Sequence, residues 1–336
     1  MSSFPPLLRR VLDGSGLSQA EAASFVGDVM DGNYTPVQSA ALLAALAAKG
    51  ESSDEIAGAA RAMRERSLHV EHGLPMVVDV VGTGGDHANT INISTMAALV
   101  VAAAGIPVAK HGNRAASSAC GSADLLEAAG FKLEIPPERA AAMLRECGFT
   151  FMFAPHYHPA MRNAAPIRRE LGVRTIFNLL GPLTNPARAT HAVVGVAHAP
   201  LVETIGRALQ ELGVRSGAVV HGAGVDEIVT DGPTHVYSFD ETGGRSWDLD
   251  PSALGIAPAP APVGGSVAAC RDAFVETLGG APGPAADIVA LNAAVVLQVA
   301  GAHAELRDAL EQARSVLRSG AAWRTFERAR EIAARG

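Results

Sequence analysis

A glycine-rich stretch at residues 81–95 holds the residues whose types and spacing point most directly to chemistry. It reads Val-Gly-Thr-Gly-Gly-Asp-His-Ala-Asn-Thr-Ile-Asn-Ile-Ser-Thr, between a strand-like apolar run at 76–81 and a helix-like run at 96–104. A strand, a glycine turn and a helix N-terminus present unpaired backbone N–H groups and the positive end of a helix dipole to an anion. This layout predicts a phosphate-binding loop in which Gly82 and Gly85 let the backbone approach the ligand closely.

Two familiar phosphate-binding motifs do not fit this stretch. A dinucleotide-binding turn would need glycine where His87 stands. A P-loop would need Gly-Lys-Ser or Gly-Lys-Thr at 87–89, where the chain has His-Ala-Asn. The stretch is therefore expected to hold phosphate in another way.

A second polar loop at residues 110–124 reads Lys-His-Gly-Asn-Arg-Ala-Ala-Ser-Ser-Ala-Cys-Gly-Ser-Ala-Asp. This loop follows the carboxyl end of a predicted strand, which is where α/β sheets bind their ligands. Lys110 and Arg114 supply positive charge, and hydroxyl donors come from Ser117, Ser118 and Ser122. Either loop alone could be an ordinary solvated turn. Two such loops after neighbouring strands indicate a ligand with more than one phosphate.

Two adjacent carboxylates, Asp226 and Glu227, follow another predicted strand. Such a pair repels unless a cation or protons intervene. Mg²⁺ suits hard oxygen ligands and typically takes one or two carboxylates with phosphate oxygens and water. An acidic pair in a loop is usually only solvated, but beside two phosphate loops it predicts a metal site. Asp86 and Ser94 could face the same metal or its waters.

The remaining chemistry-bearing groups give weaker signals. His156 and His158 could be a metal pair, but no third soft ligand has suitable spacing, so pocket lining and plain packing stay open. The chain has no Gly-x-Ser-x-Gly elbow or other signature of covalent catalysis. We therefore expect chemistry by positioning and electrostatics on a phosphorylated substrate.

The elements that hold these groups are predicted from patterning and helix start signals. Residues 1–70 carry start signals at Ser18, Thr35 and Ser53 and no strand pattern, which predicts a small helical domain. From residue 75, strand patterns alternate with helix patterns, as in a parallel sheet. The predicted strands are 76–81, 106–110, 150–153, 192–196, 218–221 and 235–239. The predicted helices after the first domain are 94–104, 122–129, 137–147, 201–212, 285–300 and 304–334.

The predicted fold is therefore α/β, with a small all-helical N-terminal domain and a large domain built on a central, mostly parallel sheet flanked by helices. Residues 155–187 interrupt the α/β rhythm with four arginines. We expect 160–186 to pack back onto 1–70 and to leave a cleft against the large domain, 71–159 with 187–336. The Pro-Ala run at 256–263 is interpreted as a polyproline-type linker.

Composition excludes several classes of function. The formal net charge of −7 argues against sequence-blind binding to nucleic acid or to an anionic membrane. The apolar run 96–109 is too short for a bilayer span and holds Pro107, which predicts a buried helix and strand. Three scattered cysteines are too few for a disulfide framework, so a reducing cytoplasm is expected.

At this point the motifs resemble a known family. Gly82-Thr-Gly-Gly-Asp86, Asn92-Ile-Ser-Thr95, the second loop and Asp226-Glu227 are similar to those of anthranilate phosphoribosyltransferases. So are the stretches 151–161, Phe-Met-Phe-Ala-Pro-His-Tyr-His-Pro-Ala-Met, and 168–186, which opens Arg-Arg-Glu-Leu-Gly-Val-Arg and ends Gly-Pro-Leu-Thr-Asn-Pro. The resemblance spans nearly the whole chain.

The resemblance implies transfer of phosphoribose from phosphoribosyl pyrophosphate (PRPP) to the amine of anthranilate, a step of tryptophan synthesis. It implies that PRPP is held by Gly82, Gly85, Asp86, Thr90, Asn92, Ile93, Ser94, Thr95, Lys110, His111, Gly112, Asn113, Arg114, Ala115, Ala116, Ser117, Ser118 and Ser122. Anthranilate would be held by Gly82, Asn113, Arg168, His111 and His156. A pair of Mg²⁺ ions would be bound by Ser94, Asp226 and Glu227.

The resemblance also implies a homodimer joined through the helical domain. Two alternatives stay open at this stage. A pyrimidine-nucleoside-phosphorylase-like enzyme is disfavoured because its Gly-His-Thr-Gly-Gly-Thr stretch is absent and because Arg168 with Asn113 favours an aromatic acid. A non-catalytic relative that binds nucleic acid would call for a basic face, which the acidic balance does not favour.

Overall fold

The computed structural model describes residues 4–115 and 118–335. The chain opens with four helices, α1 Phe4–Leu12, α2 Gln19–Asp31, α3 Pro36–Lys49 and α4 Ser53–Glu65. Capping boxes begin α2, α3 and α4 at Ser18, Thr35 and Ser52, so the third start lies one residue before the predicted one. The helix α1 has no such signal and was not predicted as a separate element.

A seven-stranded sheet forms the centre of the rest of the described chain. Its strands are β1 Val78–Gly82, β2 Val108–Gly112, β3 Phe149–Phe153, β4 His191–Gly195, β5 Ser216–Gly222, β6 Thr234–Asp240 and β7 Gly243–Leu249. Their order is β3-β2-β1-β4-β5-β6-β7, with β1 to β5 parallel and β6 and β7 added antiparallel. The predicted α/β fold with a mostly parallel sheet is confirmed.

The strand order places the site. Strands β1, β2 and β3 progress towards one edge of the sheet, whereas β4 pairs on the other side of β1. The connections after β1 and β4 therefore diverge, and open α/β sheets form their ligand crevice at such a switch point, beyond the carboxyl ends of the strands. Both predicted phosphate loops and the acidic pair follow β1, β2 and β5 at that edge.

Helices cover both faces of the sheet. The helices after β1 are α5 Ile93–Ala103, α6 Ser122–Ala128, α7 Pro137–Cys147, α8 Ala154–Tyr157, α9 Met161–Leu171, α10 Phe177–Leu180, α11 Leu201–Glu211, α12 Val267–Leu278, α13 Pro284–Val299, α14 Leu306–Arg318 and α15 Ala321–Ala334. One core joins the sheet to α5, α13 and α15, and a second core joins its other face to α1–α4 and α9–α11. No helix within the described residues is long and apolar enough to cross a bilayer.

The Arg-rich segment packs on the N-terminal helices. Helix α9 contacts α2 and α3, and α10 contacts α4. Ala164, Ile167 and Phe177 are buried in the same core as these helices. The exact division of the chain into 1–70 with 160–186 and 71–159 with 187–336 stays a prediction.

Three expectations about elements were wrong. Strand β7 was missed because its sequence, Gly-Gly-Arg-Ser-Trp-Asp-Leu, is polar and largely exposed on an edge strand. The single helix expected at 304–334 breaks into α14 and α15 at Gly320, whose φ of 68° is left-handed. The Pro-Ala run is not a free linker, because Ile91 N donates to Pro262 O at 2.9 Å and Gly264 N donates to Asn89 O at 2.8 Å.

Asn292 fastens the acidic segment to the buried helix α13. Its amide accepts from Ile228 N at 3.1 Å and donates to Ile228 O at 2.8 Å and Ile288 O at 2.9 Å. We expect Asn292→Leu to lower the free energy of unfolding by about 2–3 kcal/mol, because it leaves buried backbone groups of Ile228 unpaired. Urea unfolding measures this loss. The control Gln298→Ala removes one exposed bond, to Ala304 O, and should change stability by less than about 0.5 kcal/mol. Equal stability of both variants would contradict the anchoring role.

Candidate active site

The first glycine loop wraps around Asp226. Gly84 N donates to Asp226 Oδ2 at 2.6 Å, and a Cβ at Gly82 would overlap the same carboxylate. Gly84 and Gly85 have φ values of 63° and 82°, which a side chain would strain. Gly84 and Gly85 are therefore required by the left-handed turn, and Gly82 by the close approach of Asp226. These requirements hold whether or not a ligand is bound.

Negative charge collects beside that loop. Asp226 N donates to Asp86 Oδ2 at 3.4 Å, and Glu227 Oε1 accepts from Ser94 N at the start of α5 at 3.1 Å. Burial raises the pKa of Asp226 and of Glu227 above the usual range, and mutual repulsion among Asp86, Asp226 and Glu227 adds to the rise. Among the described residues, neither Asp226 nor Glu227 forms an ion pair.

Lys110 is the nearest buried cation, but it is hydrogen-bonded elsewhere. Its Nζ donates to Val80 O and, at 3.3 Å, to Ser94 Oγ. Burial lowers the Lys110 pKa, while the charges of Asp79, Glu227 and Asp226 raise it. Lys110 thus offsets part of the acidic charge at a distance without neutralising either carboxylate by direct contact.

The donor set fits a hard cation held jointly with a ligand. In the parts of the chain that the structure describes, no three His, Cys, Asp or Glu side chains form a ready metal-binding group. Asp226 and Glu227 are half-buried acids without a cationic partner, and the backbone N–H of Ser94 donates to Glu227. Mg²⁺ commonly uses one or two carboxylates and completes its octahedron with phosphate oxygens and water. The arrangement is what such an ion needs from the protein.

The second loop is held mainly by acids of α6. Ala115 N and Gly121 N donate to Asp124 Oδ2 at 2.9 and 3.0 Å. The Arg114 guanidinium bonds Glu127 at 2.7 and 2.9 Å and Asp124 at 3.0 Å, and these partners raise the Arg114 pKa. Its charge is therefore paired with these acids in the free protein, and its predicted contact with PRPP stays a prediction. Ala116 and Ser117, both predicted PRPP contacts, lie outside the described residues.

The other predicted PRPP residues line the two loops and the end of β2. Asn92 is the N-cap residue of α5, with Ile93, Ser94 and Thr95 in its first turn, and Thr90 makes a bridge to Val263. Ser122 Oγ donates to Asn113 O at 3.2 Å, and a Cβ at Gly112 would overlap Ser122 Oγ. Ser118 lies in the bend that leads into α6.

His111 has one free ring nitrogen. Its Nδ1 lies 3.0 Å from Gly181 O, its backbone N donates to Asp79 Oδ1 at 3.2 Å, and its Nε2 is buried with no partner among the described residues. Since a carbonyl can only accept, Nδ1 carries the proton and Nε2 presents a lone pair. Burial lowers the pKa of His111 to about 4, so the ring is neutral at physiological pH.

The other histidines are close to this group. The rings of His111 and His158 are 5.0 Å apart, and burial lowers the pKa of His158 to about 3. His156 packs edge-on against Tyr157, and its Nε2 is also buried without a partner among the described residues. Among the described residues, no third ligand joins His156 and His158 in a metal-binding group, and their role as pocket lining stays a prediction.

Arg168 is a half-buried cation without an acidic partner. Its guanidinium lies over the Phe177 ring at 5.5 Å, and burial lowers its pKa. No carboxylate within the described residues pairs with it. A flat, partly desolvated guanidinium held against an aromatic ring is well suited to a planar carboxylate ligand.

Four of the residues predicted to hold substrates each have a buried side-chain atom that lacks a hydrogen-bond partner within the described part of the chain. Asn92 Oδ1, Thr95 Oγ1, His111 Nε2 and His156 Nε2 are buried without hydrogen-bond partners among the described residues. All belong to the residues predicted to hold substrates. Buried polar groups are normally paired, so these unpaired atoms indicate groups that a ligand or ordered water completes.

Sequence reasoning missed two residues at the crevice. Arg174 follows α9 and places its guanidinium over Gly85, donating to Gly85 O at 3.5 Å. Asp79 is a buried residue of β1, and burial raises its pKa to about 6 although Asn185 Nδ2 donates to it at 2.7 Å. The charged Asp79 within the apolar strand was the available signal, whereas nothing in the sequence distinguishes Arg174 from its neighbouring arginines.

Comparison with known proteins shows the same architecture. Residues 5–67 match the helical bundle domain of a glycosyl transferase family, and residues 74–323 match the a/b domain of that family. An anthranilate phosphoribosyltransferase from Herpetosiphon aurantiacus is 50% identical over 327 residues, which are 95% of each chain. The chain belongs to the anthranilate phosphoribosyltransferase family.

Solved structures agree with this assignment. The enzyme from Thermus thermophilus is 45% identical and superposes with a TM-score of 0.92 over 98% of this chain and 99% of its own. The Saccharomyces cerevisiae enzyme in complex with PRPP and Mg is 26% identical, with a TM-score of 0.89 over 98% of both chains. The yeast enzyme has also been solved with 4-fluoroanthranilate.

The raised pKa of Glu227 predicts a pH dependence of stability. A carboxyl that holds its proton more tightly when folded stabilises the protein below its unfolded pKa, near 4.5, and this contribution is lost as the pH rises through the folded value. In the absence of Mg²⁺, the free energy of unfolding should therefore fall as the pH rises from about 4.5 towards neutrality. Glu227→Gln should flatten this fall.

Urea unfolding in a chelator at several pH values measures the effect. Glu241→Gln, in the exposed turn between β6 and β7, is the matched control and should keep the wild-type slope. A Glu227→Gln slope identical to that of the wild type would show that Glu227 is not protonated in the folded, metal-free protein.

Proposed function

We propose that the crevice at the carboxyl edge of the sheet is the active site for the reaction of the family. The residues described above would each have a separate role in that reaction. That reaction, which this chain catalyses as a pentosyltransferase of tryptophan biosynthesis, transfers phosphoribose from PRPP to the amine of anthranilate. It yields N-(5-phosphoribosyl)anthranilate and pyrophosphate. The observation that carries the assignment of roles is the contact of an unpaired acidic pair with the glycine loop and the start of α5 at the switch point of the sheet.

The first loop would hold the pyrophosphate of PRPP. Gly82, Gly85, Asp86 and the turn at 90–95 surround the start of α5, where the positive end of the helix dipole favours an anion. The second loop, 110–118 with Ser122, would hold the remaining phosphate and the ribose. In support, Asn92 Oδ1 and Thr95 Oγ1 are buried without hydrogen-bond partners among the described residues. A hydroxyl-bearing or hydrated ligand would supply those partners.

Mg²⁺ would bind with the pyrophosphate on Asp226, Glu227 and Ser94. The support is the unpaired acidic charge and the yeast relative, which contains Mg together with PRPP. We propose a pair of ions per subunit, because two acids flank the loop on separate anchors, Gly84 N and Ser94 N. When bound, the metal supplies electrostatic stabilisation of the leaving pyrophosphate.

Anthranilate would lie between Arg168 and the end of β2. Arg168 would take the carboxylate in a bidentate pair, and Asn113, Gly82 and His156 would complete the pocket. The lone pair on His111 Nε2 would accept a hydrogen from the anthranilate amine and so orient its nitrogen. His111 Nε2 can accept this hydrogen because the ring proton is on Nδ1, which donates to Gly181 O.

The residues then act by holding and orienting both substrates. The amine of anthranilate is already nucleophilic, so the site needs no strong base, which fits a neutral His111. As the bond from ribose to pyrophosphate breaks, negative charge grows on the leaving group and positive charge on the ribose. Backbone N–H groups of the first loop and the buried Lys110 stabilise the former.

Two further properties are part of the proposal. We propose a homodimer through the helical domain, supported by Leu12 and Val37, which are 67% and 79% exposed on α1 and α3. We also propose a cytoplasmic location, which the free state of Cys120, Cys147 and Cys270 supports. Nucleic acid and membranes are not expected partners.

Loss of anthranilate fluorescence on addition of PRPP and Mg²⁺ tests the function. The purified protein should consume anthranilate only when both are present and release one pyrophosphate per anthranilate. Folded protein that consumes none would overturn the proposal. A pyrimidine nucleoside and phosphate, supplied instead, should give no reaction; turnover there would favour the phosphorylase-like alternative.

Asp226→Asn tests the metal assignment. We expect kcat to fall by about 100-fold, because the substitution weakens the binding of Mg²⁺, whose positive charge would stabilise the departing pyrophosphate, while the Kd for anthranilate changes little. The Mg²⁺ concentration for half-maximal rate should rise. Asp231→Asn, at an exposed turn a few residues on, is the control. A wild-type Mg²⁺ dependence in Asp226→Asn would remove Asp226 from the metal site.

Arg168→Ala tests the acceptor site. Loss of a charge-assisted, partly buried pair should raise the KM for anthranilate by about 10- to 100-fold, with little change in the KM for PRPP. Arg169→Ala, an exposed neighbour on α9, should leave both values unchanged. An unaltered anthranilate KM in Arg168→Ala would place the carboxylate elsewhere.

A further inference from the structure

Three segments that are distant in sequence meet at Asn89. Its backbone O accepts from Gly264 N at 2.8 Å, and its side-chain Oδ1 accepts from Ala119 N at 3.0 Å. The first contact joins the first loop to residues 262–264, which we call the strap. The second contact joins the first loop to the second. Asn89 is therefore the residue through which all three segments are connected.

Neighbouring contacts reinforce this junction on both sides. Ile91 N donates to Pro262 O at 2.9 Å, and Thr90 forms an antiparallel bridge with Val263. Towards the second loop, Asn92 Nδ2 donates to Cys120 O at 3.0 Å. The first loop is thus tied by backbone bonds to the strap and by two asparagine side chains to the second loop.

The backbone of Asn89 is specialised for this position. Its φ of 51° is left-handed, a conformation that asparagine tolerates better than most residues other than glycine. In this conformation the backbone O and the side-chain amide can serve two different segments. The strap has a matching requirement, because a Cβ at Gly264 would overlap Cys270 Sγ and lie 3.4 Å from Thr90 O.

We propose that Asn89 and the residues of the strap are positioning residues for the two phosphate loops. They fix the loops relative to each other and so set the affinity for PRPP. The inference rests on the proposed function in that PRPP is the ligand that spans both loops. PRPP would span both loops, whereas the main contact proposed for anthranilate, the pair of its carboxylate with Arg168, lies on α9 outside them. Loosening the junction should therefore weaken PRPP binding selectively.

Asn89→Gly isolates the side chain, since glycine adopts the positive φ without strain. Loss of the bond to Ala119 N should raise the KM and the Kd for PRPP by about three- to tenfold and leave the anthranilate KM unchanged. Asn33→Gly is the control: it removes the exposed bond from Asn33 Nδ2 to Asp28 Oδ1 and should alter neither KM. An effect on thermal stability alone, or an equal rise in both KM values, would contradict the proposal.

A second pair of variants tests the strap independently. Gly264→Ala should push the strap away from Cys270 and raise the PRPP KM, whereas Cys270→Ala alone should keep it near the wild-type value. The double variant Gly264→Ala with Cys270→Ala makes room for the added methyl group and should recover most of the PRPP affinity. A single Gly264→Ala with wild-type PRPP affinity, or no recovery in the double variant, would overturn the role of the strap.

The same experiments separate this inference from the proposed function. Wild-type protein that consumes anthranilate establishes the function, and the variant KM values then decide the inference. If the wild type shows no turnover, the function fails, and calorimetric Kd values for PRPP in the same variants still decide whether the junction sets its affinity.

Discussion

The unpaired negative charge of Asp226 and Glu227 is the constraint around which the crevice is organised. Burial and mutual repulsion raise both pKa values, and no described cation contacts either carboxylate directly. The protein holds these acids in place with backbone N–H groups from Gly84 and Ser94 and, through Ile228, with Asn292. Two buried carboxylates destabilise the folded protein unless a cation or a proton offsets their charge. Binding of a metal ion together with an anionic substrate would relieve this repulsion and stabilise the fold.

The sheet topology makes this charge useful. Because the strand order reverses between β1 and β4, the loop after β1 can fold over the acids that follow β5. The Arg-rich segment reaches the first loop through Arg174, which donates to Gly85 O, and holds Arg168 over the Phe177 ring. In the proposed function, the donor site would lie on the first loop and the acceptor site beside Arg168.

Much of this could be predicted from the sequence, for reasons that are physical. Apolar runs predicted six of the seven strands, and glycine spacing with hydroxyl residues predicted both loops. The pairing of Arg114 with Glu127 could not be predicted, because it depends on how α6 packs after the second loop. The strap was misread for a similar reason: proline removes donors but leaves carbonyls free, and only the fold decides what donates to Pro262 O. Asn89 gave no signal because its left-handed φ and its two partners exist only in the folded chain.

Proton release on ligand binding reports directly on the charge state of the acidic pair. If Asp226 and Glu227 hold a proton in the free protein, binding of PRPP with Mg²⁺ near neutral pH must displace it. Calorimetric titration in buffers of different ionisation enthalpy counts the protons released. We predict net release by the wild type and a clearly smaller release by Glu227→Gln under the same conditions. Equal release by the two proteins would show that the acidic pair does not carry the proton and would contradict its role as the organising charge of the crevice.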